Sequence, residues 1–149
     1  MDYKTQNEEL NKAIYNLFNG KTTMERAKAA NHLGYLRDAR AINSLVKALK
    51  SEKDQVVINR IIEAMGEIKN PKATMLIVDL LKEELKLPEE NQDKQRLFLI
   101  VESLMKIGDK RALEHLGLLL DSCHEDIRKL TSEAFECIDP NWKENLKKT

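Results

Sequence analysis

With 149 residues, 42% of them hydrophobic and 34% charged, and only 5 glycines and 3 prolines, the chain has the length for one domain with a sizeable core and the composition of a mostly helical protein. Its 25 basic and 25 acidic residues cancel to a formal net charge of +0, which weighs against nucleic acid as a partner, because such proteins present a basic face. No apolar run approaches the roughly 20 residues of a membrane span, and the polar start MDYKTQNEEL lacks the apolar stretch of a secretion signal, so a cytoplasmic location is expected.

A leading helix is predicted over about residues 5–20, from Leu10, Ile14, Leu17 and Phe18 at helical spacing, with Gly20 suited to its C-terminus. Three echoing stretches follow: LGYLRDARAI at 33–42, MGEIKNPKAT at 65–74 and LMKIGDKRAL at 104–113. Aligned on Asp38, Asn70 and Asp109, they lie 32 and 39 residues apart. Each is preceded by a helix-period apolar run (Ala29, Ala30, Leu33 and Leu36 in the first) and followed by another (Ile42, Leu45, Val46 and Leu49). Apolar residues at three- and four-residue steps bury one face per helix, so each unit is two helices joined by a short turn.

A degenerate fourth unit has Ile127, Leu130, Ala134, Phe135 and Ile138 in its first helix and opens its second at Asp139-Pro140. The expected architecture is all-α, a right-handed solenoid of stacked antiparallel helix pairs, forming a single domain over 1–149. Its repeats span about 22–53, 54–91, 92–123 and 124–149. The stretch 82–94, with Pro88 and five acidic residues, reads as an extended second helix and an exposed linker.

At each turn the polar residue is expected to cap the next helix, and Asn70-Pro71 and Asp139-Pro140 fit the preference of Pro for the first helical position. Gly34 and Gly66 are expected to let paired helices approach closely. Arg40, Lys72 and Arg111, two residues after the caps, are expected to pair with the cap carboxylate of a neighbouring unit as a ladder along the stack; a ligand-binding role is the alternative.

LGYLRDARAI, with Arg26 and Ala30 ahead of it, resembles the short HEAT-like repeat family, the kind also found in phycobilin lyases, and the resemblance covers about residues 22–140. The turn Asp of that family falls on Asp38 and Asp109, with Asn70 as a conservative departure, and its basic residue falls on Arg40, Lys72 and Arg111. Ankyrin and TPR repeats have periods near 32 residues, but the T-P-L-H stretch of ankyrin is missing, and so are the Trp, Leu-Gly and Tyr of TPR helices.

The resemblance implies that the second helices line a concave side which receives the partner. The exposed ladders on them would be Asn43, Met75 and Glu114, then Ser44, Leu76 and His115, then Lys47, Asp79 and Leu118. Mixed charge beside apolar Met75 and Leu118 points to another protein or peptide; the competing expectation places Met75 and Leu118 in the core. The function expected is therefore a non-enzymatic interaction module, a scaffold, adaptor or assembly chaperone. The alternatives are a nucleic-acid-associated protein resembling HEAT-like DNA glycosylases, or a lyase-type subunit by resemblance alone.

No cofactor or metal is implied. One His-Glu pair, His124-Glu125, cannot build the iron site of HEAT-like hydroxylases, and His115, Cys123, His124 and Cys137 match no zinc spacing. Cys123 and Cys137 stand too far apart for a disulfide if a helix separates them, and Cys137 is expected to be buried. His32 falls where the other units have Ala64, Ser103 and Ala134, which fits looser packing against the leading helix or, less simply, a ligand or a pH-sensing group. Trp142 is expected to cover the C-terminal end of the core, with partner anchoring as the alternative. Polar ends at Lys4, Gln6, Glu8 and Glu9, and at Lys143, Glu144, Lys147 and Lys148, favour a monomer over a homodimer.

Overall fold

A computed structural model describes residues 2–147, the side chains of the last two excepted, so Lys148 and the side chain of Lys147 lie outside the described residues. Among the described residues there are nine α-helices and no strand, in the expected order of one leading helix and four successive pairs. The chain divides into two compact units, Met1–Ala73 and Thr74–Thr149.

The first unit holds α1 (Tyr3–Asn19), α2 (Thr23–Leu36), α3 (Ile42–Ser51) and α4 (Gln55–Ile68). The first helix of each pair in this unit starts at a polar cap: Thr22 accepts from the Glu25 N–H at α2, and Asp54 from those of Val56 and Val57 at α4. Leu17, Leu33, Leu45, Ile61, Ile62 and Met65 are fully buried and form its core. The main contact runs between the two first helices, α2 on α4, with α1 against α2 and α3 against α4.

Gly34 explains how closely α2 and α4 approach. A Cβ at that position would stand 3.0 Å from Ala64 Cα and 3.2 Å from Ala64 Cβ. The expectation that this glycine serves the approach of paired helices is therefore corrected: it serves contact between α2 and the first helix of the next repeat. Arg26 ties the start of α2 to the end of α3. Its Nε donates to Glu52 at 2.9 Å and its Nη1 to the Gly20 carbonyl at 3.1 Å. Burial raises the Glu52 carboxyl, but the Arg26 side chain and the Asp54 and Lys53 N–H donors together outweigh it and hold the group below its ordinary value.

The second unit holds α5 (Thr74–Leu85), α6 (Lys94–Ile107), α7 (Leu113–Leu116), α8 (Glu125–Ile138) and α9 (Trp142–Lys147). Ile77, Leu81, Leu97, Ile100, Leu104 and Leu116 are fully buried in it, with α6 packed on α8 and α5 on α6. The helix predicted after Asp109 is interrupted: α7 covers one turn and passes into a 3-10 segment, Gly117–Asp121. The tighter winding still buries Leu116 and Leu119, and Gly117 contributes no side chain to resist it. The linker after α5 is exposed and holds only a single 3-10 turn, Glu89–Asn91. Trp142 packs on Phe135 with ring centroids 4.9 Å apart and donates from Nε1 to Glu136, as expected of a residue covering the end of the core.

Candidate partner-binding surface

The repeated turn is built the same way each time. A residue in the left-handed region ends the first helix: Arg37 (φ 51), Lys69 (φ 62) and Gly108 (φ 75). Next, Asp38 Oδ1 accepts from the Arg40 N–H at 2.9 Å, Asn70 Oδ1 from the Lys72 N–H at 2.9 Å, and Asp109 Oδ1 from the Arg111 N–H at 3.0 Å. The segment so capped is one 3-10 turn ending in a buried alanine, Ala41, Ala73 or Ala112, and the α-helix begins after it. Asp139 repeats the device, accepting from the Asn141 N–H at 3.1 Å.

The proposed charge ladder between units is corrected. Arg40 Nη2 lies 2.7 Å from Asp38 and Arg111 Nη2 lies 2.6 Å from Asp109, so each guanidinium closes on the carboxylate of its own turn. The backbone N–H and the guanidinium of one residue converge on one carboxylate, a short loop that costs less ordering than a pair across repeats. In the second turn Asn70 is neutral, and no such pair can form with Lys72. Hydrogen bonds from the Arg111 side chain, first, hold the Asp109 carboxyl down to about 2, and Arg40 lowers Asp38 in the same way. Arg40 also donates from Nη1 to Asn7 Oδ1 at 2.6 Å and lies over the Tyr3 ring, which occupies most of its donors.

All ten predicted surface residues are solvent-accessible. In the first unit Asn43 and Lys47 project from α3 while Ile42, Leu45, Ala48 and Leu49 are buried, and Arg40 and Lys72 are exposed in their turns. In the second unit Met75 and Asp79 are exposed on α5, and Glu114 is exposed and His115 half-buried on α7, with Leu118 exposed just beyond; Arg111 is exposed in its turn. Met75 is 36% and Leu118 65% exposed, so the expectation that both are absorbed into the core is overturned. The elements α5 and α7 touch within the second unit. His115 Nδ1 is buried without a hydrogen-bond partner among the described residues.

Other candidates fall elsewhere. Cys123 and Cys137 are free and both exposed, so Cys137 is not the buried apolar residue expected. Partial desolvation, followed by the Glu89 carboxylate, holds the Cys123 thiol above its ordinary value, the reverse of an activated nucleophile. Among the described residues no group of three or more His, Cys, Asp or Glu is placed to hold a metal ion. His32 contacts Glu9 at 2.9 Å and stacks on Tyr35.

Sequence reasoning missed Met24 and Val56, which are 65% and 62% exposed on α2 and α4. They stand 32 residues apart, at the same place in successive repeats, so laying the first helices in register would have found them. No helix among the described residues is long and apolar enough to cross a membrane. A family model described as HEAT repeats matches residues 11–87, just over half of the chain. No curated protein matches it.

Proposed function

Because the chain belongs to the HEAT-repeat family, whose members commonly mediate protein–protein interaction, we propose that it is a non-enzymatic binding module for another protein or peptide, a scaffold, adaptor or assembly chaperone. The observation that carries this reading is the exposure of Met75 and Leu118 on second-helix segments that bury Ile77, Val78, Leu81, Leu116 and Leu119. Exposed apolar side chains on segments that also carry Asp79, Glu114 and His115 suit a protein contact, in which an apolar centre sits within a polar rim. The Asp79 and Glu114 carboxylates on the same unit oppose a phosphate backbone. In the first unit Asn43, Lys47, Arg40 and Lys72 offer a polar and basic counterpart. The phycobilin-lyase-type placement within the family rests on the short repeat and its turn pattern alone.

An affinity capture from the source cell, compared between the wild-type chain and the Met75→Asp/Leu118→Asp variant, tests the proposal. Loss of one specific protein from the variant, with thermal unfolding unchanged, is expected. Retention of every captured protein by a folded variant overturns it. So does duplex-DNA binding that falls steeply with salt, the signature of phosphate contacts.

A further inference from the structure

The two units carry opposite charge. Thr74–Thr149 holds sixteen acidic and twelve basic residues, and Met1–Ala73 holds nine acidic and thirteen basic ones. The formal net charge of +0 hides this split, and the excess of acid lies on the unit that exposes Met75 and Leu118.

Within that unit the exposed apolar and acidic residues alternate. Met75 and Asp79 stand four apart on α5 and so share a face, about 6 Å from one another along its axis. Glu114 and Leu118 stand four apart in α7 and the 3-10 segment that continues it. Aligned on Asn70 and Asp109, Met75 corresponds to Glu114 and Asp79 to Leu118, so the order reverses from one element to the next. α5 touches both the Lys110–Ala112 turn and α7. All four side chains reach solvent.

The two carboxylates are uncompensated. Elsewhere in the unit Glu83 pairs with Lys86, Asp109 with Arg111, Glu125 with Lys129 and Asp126 with Lys94. Asp79 and Glu114 have no ion-pair or hydrogen-bond partner among the described residues. An anionic partner is repelled here, and a neutral apolar one would cover two carboxylates without a counter-charge, which is costly. We propose that this face takes a cationic amphipathic segment of a partner protein. Its lysine or arginine side chains meet Asp79 and Glu114, and its apolar side chains cover Met75 and Leu118. The proposal rests on the protein-binding reading above and names the chemistry of that partner.

The test uses the full chain and three short peptides of one amphipathic pattern: leucine–lysine, leucine–glutamate and serine–lysine. Binding is read by NMR from the Met75 and Leu118 methyl groups. Saturable shifts with the leucine–lysine peptide, and binding weaker by about tenfold or more with either of the others, are expected. Asp79→Asn/Glu114→Gln should weaken the leucine–lysine peptide about tenfold. Glu90→Gln/Glu133→Gln removes the same charge from exposed positions on the linker and α8, and should leave its affinity within about twofold. Equal weakening by both variants marks a general attraction to an acidic unit and overturns the proposal. So does equal binding of either other peptide, or no saturable shift with any of the three. Self-association of the chain that Asp79→Asn/Glu114→Gln abolishes assigns the face to a second copy and overturns it too. The two readings fail separately: the affinity capture asks whether Met75 and Leu118 hold any protein, and the peptides ask which charge that protein brings.

Discussion

Asp109 and its left-handed neighbour show what single residues contribute. The Asp109 carboxyl, ordinarily near 3.8, is held at about 2. A lowered folded-state value means that its stabilisation is complete above the ordinary value and is lost as pH falls from about 4 towards 2. Its side chain is 13% exposed, whereas that of Arg111 is 58% exposed, so screening trims the effect to about 1–2 kcal/mol. Asp109→Asn should cost that much at pH 7 and flatten the acid limb of the stability profile between pH 4 and 2, measured by urea unfolding. The residue before the cap is a separate case. Gly108 adopts φ 75 freely, and Lys69 adopts φ 62 against its own side chain. Lys69→Gly should therefore stabilise by about 0.5–1 kcal/mol, and Gly108→Ala should destabilise by about 1 kcal/mol. For Gly108 the backbone angle alone decides, since an added Cβ meets nothing within 4 Å.

Helices join through contacts that cannot yield. Gly34→Ala pushes a methyl group against the backbone of α4 at Ala64, and about 1–2 kcal/mol of destabilisation is expected even after the gain in helix propensity. Chemical denaturation with an unchanged slope would confirm a local cause. Arg26→Ala strands the Glu52 carboxylate, which is 11% exposed, and should cost about 2–3 kcal/mol. At this scale the sequence was informative. Apolar spacing placed every helix but the last, which Asp139-Pro140 announced, and the Asp or Asn before each second helix was read correctly as a cap. It did not reveal that a 3-10 turn intervenes, because both windings share the same buried alanine. Nor did it show that α7 loosens after one turn, since Leu116 and Leu119 stay buried in either geometry. The arginines were assigned to neighbouring repeats because spacing along a chain does not say which of two carboxylates a flexible side chain will choose. Cys137 was misplaced because its neighbours Ala134, Phe135 and Ile138 already fill the buried face of α8.

For the chain as a whole, the repeat family was legible and the division at Ala73 was not, because the turn there reads like every other turn between paired helices. The exposed ladders were legible too: Asn43, Met75, Glu114, Lys47, Asp79 and Leu118 all reach solvent. The linker after α5 is the weakest point of the backbone to attack. Lys86 lies beyond the helix, and exposed residues follow it to Asn91. Limited trypsin digestion should cut first after Lys86, seen by mass spectrometry as complementary fragments; first cleavage after Lys50 or Lys53 would contradict this.

In each charged turn the counter-ion lies two residues from the charge, so a stretch of gene that encodes the turn also encodes its neutralisation. When such a segment is copied in tandem, each copy arrives with its electrostatics already settled. A joint that borrowed its carboxylate from the next repeat would leave an unpaired charge at each end of the array. Asp38 with Arg40 and Asp109 with Arg111 thus make the repeat a unit of inheritance as well as of structure. The second turn, with Asn70 and Lys72, shows that the pair can also lapse without changing the path of the chain.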